Sequence, residues 1–262
     1  MFPYFIFLDR HIGMYQIMVL LGIFSAGLYS CVFSKKEKIN YMETIFLLLT
    51  ACIGIVLGSH ILYVFINYKS ISLTQPFYSI IQLFFSGSVF YGGLIGGVSI
   101  TYIFRKKFIH YKKITAIATP AIPLFHFFGR IGCFLYGCCY GTKYSFGFIF
   151  NSSPVEIANG ETRLPIQLIE AVFNFMLFVL LHKLKDKKLL IHHLLYYYIL
   201  FYSIGRFFLE FLRGDEYRGK ICGISTSQLI SVFLIIFIGN ILYRKKRRNN
   251  EDCEKVIENS ER

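Results

Sequence analysis

Long apolar runs dominate the chain and alternate with short polar connections. Seven of these runs have roughly the length, about twenty residues, that an α-helix needs to cross the hydrocarbon core of a bilayer. They cover residues 14–34, 43–66, 88–104, 114–135, 165–182, 190–212 and 226–243. A β-barrel is not indicated, because barrel strands are only about ten alternating residues long. The pattern predicts an all-α polytopic membrane protein with about seven transmembrane helices.

Composition agrees with this class. Hydrophobic residues make up 55% of the 262 residues, and the mean hydropathy is +0.53, which excludes an ordinary soluble globule. The first run lacks a basic segment before it and is followed by lysines, so it is not read as a cleavable signal peptide. We expect one integral-membrane domain over residues 1–248 and a short charged cytoplasmic tail over residues 249–262.

The formal net charge of +13 is distributed in clusters rather than spread over a surface. Basic residues are concentrated at 35–38, 105–113, 183–188 and 244–248, which are every second connection between the apolar runs. Cytoplasmic loops of membrane proteins carry such an excess of lysine and arginine. The N-terminus is therefore predicted outside and the C-terminus in the cytoplasm, and nucleic acid is not a predicted partner.

Two arginines interrupt the apolar runs. Arg130 and Arg206 are predicted roughly 8 to 10 Å below the outer membrane surface, at 1.5 Å per helical residue. Arginine at this depth is costly, so a functional role is the default hypothesis, and two guanidiniums suit a lipid phosphate. The alternative is structural: Glu210, one helical turn after Arg206, could neutralise it and tie helices together. Arg130 has no acidic residue within one turn.

Other polar and small residues are predicted at the same depth. Tyr202, Arg206, Glu210 and Arg213 share one face of the sixth span, because their spacing is i, i+4, i+8 and i+11. Small residues beside the functional positions allow close helix approach or access of a lipid headgroup to the backbone. These are Gly129 and Gly132 around Arg130, and Gly92 and Gly93 on the third span. The outer ends of three further spans carry Tyr15, Tyr91 and Gln167.

Cysteines collect near the outer end of the fourth span. Cys133, Cys138 and Cys139 lie there, and Cys222 follows in the next outer loop, so an oxidising compartment would permit a disulfide. The C-x4-C-C spacing without a histidine pair is poor for zinc, and no metal is predicted. Arg130 would lower the pKa of a neighbouring thiol, but the spacing does not require a catalytic cysteine.

Residues 129–141, which read GRIGCFLYGCCYG, resemble the signature of bacterial phosphatidylglycerol-prolipoprotein diacylglyceryl transferases. Other segments resemble blocks of the same family in the same order, so that the similarity runs over roughly residues 10–245. They are Tyr15 in its Gly-Met-Tyr context, Tyr91 with the two glycines after it, and residues 164–171, 202–215 and 224–231. Enzymes of this family have seven spans and an external N-terminus, which matches the topology predicted above.

The resemblance implies a reaction at the outer leaflet of the bacterial inner (plasma) membrane. The diacylglyceryl group of phosphatidylglycerol moves to the lipobox cysteine in a prolipoprotein signal peptide, a thioether forms, and glycerol phosphate leaves. Membrane lipids surround the enzyme, and no metal or organic cofactor is required. By this resemblance Arg130 and Arg206 are catalytic phosphate clamps, Glu210 orients Arg206, and a headgroup pocket contains Tyr15, Gln167 and Tyr202.

The chain departs from the family pattern at several positions. Tyr91 occupies the catalytic position where the family usually has histidine, and a phenol is a far poorer base because its reference pKa is about 10. Cys133, Tyr136 and Cys138 stand where the family usually has Asn, Asn and Glu. Two alternatives follow: a related lipid-headgroup transferase with another acceptor, and a lipid-binding or transport protein without enzymatic activity.

Overall fold

The computed structural model describes residues 2–7, 10–71, 75–87, 89–186, 193–214, 220–221 and 224–260. Most of these residues are helical. The helices are α1 Met14–Lys36, α2 Tyr41–Ile66, α3 Pro76–Ser86, α4 Phe90–Ile103, α5 Tyr111–Ala118, α6 Ala121–Tyr136, α7 Ile166–Leu184, α8 Leu194–Leu209 and α9 Thr226–Ser260. Three antiparallel hairpins lie in the connections: β1 Tyr4–Phe7 with β2 Arg10–Gly13, β3 Lys143–Ile149 with β4 Thr162–Arg163, and β5 Lys220–Ile221 with β6 Ile224–Ser225.

Five helical segments among the described residues are long and apolar enough to cross a membrane. They are Met14–Lys36, Tyr41–Ile66, Tyr111–Tyr136, Ile166–Leu184 and Thr226–Lys245. Their large apolar side chains remain exposed, as Phe46, Leu49 and Ile53 of α2 illustrate at 61%, 53% and 57% exposure. Lipid is the solvent that such surfaces require. The prediction of a helical membrane protein is confirmed.

Helices lie at all seven predicted positions, but two of them are short. Helix α4 has 14 residues and α8 has 16, so at 1.5 Å per residue they rise roughly 21 to 24 Å against about 30 Å of hydrocarbon. The number seven and the orientation of the termini stay predictions. The sequence pattern did not predict helix α3 or the three hairpins. Helix α9 continues to Ser260, so the backbone of the predicted tail is helical up to that residue.

The chain forms two compact units. Unit one comprises residues 1–26 and 116–262, and unit two comprises residues 27–115. In unit two, α4 packs on α2 through glycines of both helices. A Cβ atom at Gly92 would lie 2.3 Å from the carbonyl oxygen of Gly58, and one at Gly96 would lie 2.2 Å from that of Gly54. The absence of side chains therefore lets the two backbones touch, as in small-xxx-small helix pairs.

Unit one contains α6, α7, α8 and α9. Its apolar core includes Leu177 and Leu181 of α7 with Leu194 and Tyr198 of α8. The connection between α6 and α7 has its own small core of Tyr140, Phe150 and Ala158. Over this core the guanidinium of Arg163 stacks on the Tyr140 ring at 4.3 Å and donates a hydrogen bond to the Ile157 carbonyl. The connection is thus a folded element, which fixes where α6 ends and α7 begins.

Candidate active site

One buried carboxylate joins three arginines from different parts of unit one. Glu170 of α7 forms an ion pair with Arg130 of α6 at 2.9 Å, and it accepts hydrogen bonds from Arg206 of α8 at 2.5 Å and from Arg213 at 3.2 Å. Arg130 therefore has an acidic partner after all, contributed by another helix rather than by its own. The three guanidiniums meet where the sequence predicted only two.

A second carboxylate completes this arrangement, which we name the arginine–glutamate cluster: Arg130, Arg206, Arg213, Glu170 and Glu210. Glu210 pairs with Arg206 one turn before it, as predicted. Glu170, Arg206 and Glu210 are only 3%, 6% and 9% exposed. The three guanidiniums outnumber the two carboxylates of the cluster, and the Arg130 side chain is the most exposed of the three, at 19%. A partly exposed guanidinium beside buried charges is suited to receive an anion.

Local structure determines the position of Arg213. Helix α8 ends at Leu209, and a single 3-10 turn over Glu210–Leu212 leads into an extended segment. This segment pairs with the connection after α6, since the Thr142 amide donates to the Leu212 carbonyl and the Gly214 amide to the Tyr140 carbonyl, both at 3.0 Å. Backbone pairing between distant segments thus places Arg213 next to Glu170.

The glycines beside Arg130 differ from each other. A Cβ atom at Gly132 would lie 3.0 Å from the Met18 Cβ and 3.2 Å from the Tyr15 ring, so Gly132 permits close packing of α1 on α6. A Cβ atom at Gly129 would meet no atom within 4 Å. Tyr15 is 43% exposed and lies near enough to Arg130 to interact electrostatically with it. The structure therefore brings Tyr15, Gly129 and Gly132 to the arginine–glutamate cluster.

Aromatic rings lie one helical turn before the arginines of α6 and α8 in the sequence. Tyr202 precedes Arg206 on α8, and its ring centroid is 5.5 Å from that of His126 and 5.7 Å from that of Tyr198. The Tyr198 hydroxyl and His126 Nδ1 are 3.3 Å apart. Tyr202 thus packs against both rings and lies near enough to Arg130 to interact electrostatically with it.

Gln167 is completely buried and braces the turn after α6. Its Nε2 donates a 2.7 Å hydrogen bond to the carbonyl oxygen of Cys138. Because Gln167 precedes Glu170 by one turn of α7, the same helix supports both the turn and the arginines. Its observed contact is therefore with protein backbone, whereas the sequence predicted a place in the headgroup pocket.

Three thiols gather at this turn, and we name Cys133, Cys138 and Cys139 the thiol cluster. Their sulfur atoms all lie within 4.8 Å of one another, and the structure has them as thiols rather than disulfides. Hydrogen bonds from Cys133 and Cys138, followed by the positive charges of Arg213 and Arg130, lower the pKa of Cys139. Cys222, the fourth cysteine considered from the sequence, lies outside the described residues.

Three predicted site residues belong to unit two. Gly92 contacts Gly58 of α2, and a Cβ atom at Gly93 would lie 3.2 Å from atoms of Ile55, so both have a role in helix packing. Tyr91 is the second residue of α4, and its side chain lies outside the described residues.

Sequence reasoning did not assign Glu170 and Arg213 to the site. The sequence pattern predicted Arg213 on one helical face with Arg206, but this was wrong, because α8 ends at Leu209 and Arg213 lies in the extended segment after it. Glu170 was visible only as an acidic residue near the start of an apolar run. A carboxylate at that depth needs cationic partners, so the two arginines already noted could have indicated it.

Comparisons with known proteins show the family of the chain. A relative from Clostridium tetani, named phosphatidylglycerol--prolipoprotein diacylglyceryl transferase, is 37% identical over 235 residues, which are 87% of this chain and 92% of the relative. Similar proteins of the same enzyme name are found in Clostridium perfringens, at 35% identity over 92% of this chain and 94% of the relative, and in Campylobacter hominis, at 32% over 94% and 90%. The family model for prolipoprotein diacylglyceryl transferase matches residues 3–244, and the chain belongs to that family.

Proposed function

We propose that the chain transfers the diacylglyceryl group of phosphatidylglycerol to the lipobox cysteine of prolipoproteins, and that the arginine–glutamate cluster holds the lipid phosphate. The partly exposed guanidinium of Arg130, held by the buried Glu170, carries this proposal. A phosphodiester brings one negative charge, which a guanidinium binds through two parallel hydrogen bonds. The family membership and the names of the relatives support the same reaction.

The chemistry requires a stabilised leaving group. The acceptor thiol loses its proton to solvent or to the leaving phosphate, its sulfur attacks the glyceryl carbon, a carbon–sulfur bond forms, and the carbon–oxygen bond to phosphate breaks. The electron pair of that bond stays on the phosphate oxygen, so negative charge grows on glycerol phosphate as it leaves. Preorganised guanidiniums in a water-poor site stabilise growing charge without needing to reorient.

The arginines differ in exposure, which suggests different roles. The side chain of Arg130 is 19% exposed, against 7% for Arg206 and 3% for Arg213. Arg130 is therefore the guanidinium that contacts the phosphate directly. Arg206 and Arg213 supply charge and hold Glu170, which in turn orients Arg130.

The wider setting follows from the topology predicted by the sequence. Seven spans with the N-terminus outside would put the cluster in the outer leaflet of the bacterial plasma membrane. Phosphatidylglycerol is present there, and the lipobox of a translocated prolipoprotein arrives on the same side. The basic connections predicted to be cytoplasmic are the feature that supports this orientation.

Arg130→Lys tests the phosphate contact. Purified protein is assayed with labelled phosphatidylglycerol and a lipobox peptide, and thioether product is measured. Lysine keeps the charge but loses the planar two-pronged donor, so the rate should fall about 100-fold or more. Arg105→Lys is the matched control, since Arg105 lies in unit two and its guanidinium stacks on Tyr102.

The outcomes separate the alternatives. Product that disappears in Arg130→Lys but not in Arg105→Lys supports the transferase and the phosphate role. If the protein consumes phosphatidylglycerol but does not modify the lipobox peptide, it transfers the group to another acceptor. A protein that binds lipid equally well with lysine, and never consumes it, would mean a binding protein without turnover.

A further inference from the structure

The thiol cluster has the dimensions of a metal-binding site. A zinc-group cation holds thiolates at about 2.3 Å, which places tetrahedral sulfur ligands about 3.8 Å apart. The three sulfur atoms lie within 4.8 Å of one another, so they need to close by only about 1 Å. The linear C-x4-C-C spacing argued against zinc, but the turn after α6 removes that objection because it folds Cys138 and Cys139 back over Cys133.

The turn is held in this shape by several interactions. Gly137 adopts a φ of +84°, and the amides of Gly137 and Cys138 both donate to the Cys133 carbonyl, at 3.0 and 3.1 Å. This is the αL ending that glycine allows after a helix. Ser153 donates to the Gly137 carbonyl at 3.1 Å, and Gln167 donates to that of Cys138. The first two thiols are therefore positioned by backbone that is braced from both sides.

The third thiol is positioned by an unfavourable backbone conformation. Cys139 has a φ of +57°, in the left-handed region that residues other than glycine rarely adopt. Such strain persists where surrounding structure enforces it, and it is concentrated at functional sites. In this conformation the Cys139 sulfur joins the other two instead of pointing away from them. The three sulfur atoms therefore lie close together on one side of the turn.

The thiol cluster adjoins the phosphate site. Cys133 follows Arg130 by three residues on α6, and Cys139 interacts electrostatically with Arg213 and Arg130. Three sulfur ligands leave the fourth position of a tetrahedral cation open, as catalytic zinc sites do.

We propose that Cys133, Cys138 and Cys139 bind a thiophilic divalent cation of the zinc group, whose fourth position takes the acceptor thiol and activates it. This inference rests on the transferase function proposed above. It gives the enzyme a way to generate a thiolate without a histidine base, because a thiol that coordinates such a cation loses its proton.

The step balances without an oxidant or reductant. The acceptor thiol binds the cation and releases its proton to solvent. Its sulfur then attacks the glyceryl carbon, the bond from that carbon to the phosphate oxygen breaks, and the arginines bind the phosphate that leaves. The thioether product is a weak ligand compared with a thiolate, so it dissociates and the position opens again.

Cadmium binding tests the site independently of turnover. Purified full-length protein is titrated with Cd²⁺, and the sulfur-to-cadmium charge-transfer absorption and the bound metal per chain are measured. About one cadmium per chain is expected, with affinity at least about 100-fold weaker in Cys139→Ser, because a direct ligand matters more than second-shell groups. Cys52→Ser is the control, since Cys52 is an exposed thiol of α2 in unit two.

The lipobox peptide then tests the fourth position. Its addition to the cadmium-loaded protein should raise the charge-transfer absorption by about one third, because a fourth thiolate joins three. A peptide with serine in place of the lipobox cysteine should cause no rise. In wild-type protein, bound cadmium should also protect the three thiols from alkylation by N-ethylmaleimide, a readout that needs no variant.

Turnover separates this inference from the proposed function. Thioether formation that stops with a chelator and returns with Zn²⁺ supports the metal role. Turnover that persists both with a chelator and in Cys139→Ser would overturn the metal proposal but not the proposed transferase function. A disulfide between two of the three thiols in active enzyme would have the same meaning. Metal that binds while no lipid is consumed under any condition overturns the activation step together with the transferase function.

Discussion

Apolar helices associate through backbone contacts in one unit and through charged side chains in the other. In unit two, Gly54 and Gly58 of α2 meet Gly92 and Gly96 of α4 with backbone against backbone. In unit one, α6, α7 and α8 are joined by the arginine–glutamate cluster. Neither solution uses the hydrophobic effect, which offers little between helices that lipid solvates equally well.

The difference shows where chemistry is possible. A glycine contact has no side-chain groups, so it can hold two helices together but cannot polarise or protonate a substrate. The arginine–glutamate cluster is costly to bury, but its guanidiniums can bind an anion, and the Arg130 side chain is 19% exposed. The cluster is therefore the region suited to the phosphate binding that we propose, whereas the glycine contact holds two helices together.

Removing the central carboxylate should have the largest effect. Glu170→Gln leaves three guanidiniums with one carboxylate, so we expect a loss of roughly 3 to 5 kcal/mol in the free energy of unfolding. Thermal unfolding in detergent measures it. Glu161→Gln is the matched control: it breaks the exposed Lys143 pair and should leave the melting temperature unchanged. Equal melting temperatures for both variants would contradict the central role of Glu170.

Adding one methyl group to the glycine contact should have an intermediate effect. In Gly96→Ala the new Cβ would lie 2.2 Å from a backbone oxygen, so the helices must separate, at a cost of roughly 1 to 3 kcal/mol. Gly27→Ala in α1 meets no atom within 4 Å and serves as the control. If Gly96→Ala lowered turnover while the melting temperature stayed unchanged, the glycine would have a catalytic role and our comparison would fail.

The smallest effect on stability is expected beside Arg130. Gly129→Ala has space in the protein, so the melting temperature should not change. If the lipid headgroup approaches the backbone there, the extra methyl group should raise the KM for phosphatidylglycerol roughly 10-fold. Gly132→Ala, which crowds Tyr15 and Met18, should instead lower the melting temperature. An unchanged KM in Gly129→Ala would mean that the headgroup lies elsewhere.

Sequence reasoning succeeded where a residue is unusual in its own segment. Arg130 and Arg206 stand out because lipid makes arginine costly, and the pairing of Arg206 with Glu210 follows from helical spacing. It failed for Glu170, whose partners come from two other helices and from the segment after α8. The place of Gly92 in a substrate site stays a prediction, and the structure adds a contact of Gly92 with Gly58 that the sequence did not show.

The thiol cluster is another case in which the tertiary structure brings together residues that the sequence did not predict to meet. Spacing along the chain made Cys133, Cys138 and Cys139 look like poor ligands. Their convergence depends on the left-handed conformations of Gly137, which is a common glycine ending of a helix, and of Cys139, which the sequence pattern did not predict.

By itself the sequence determined that this protein is a helical membrane protein, where its predicted spans lie, and which arginines interrupt its apolar runs. These are local properties, since a solvent as apolar as lipid demands long apolar helices and makes each buried charge conspicuous. The tertiary structure decided which carboxylate the three arginines share, which glycines touch, and that three thiols meet. Those depend on groups far apart in the chain, whose partners are chosen by how the helices and turns pack in space.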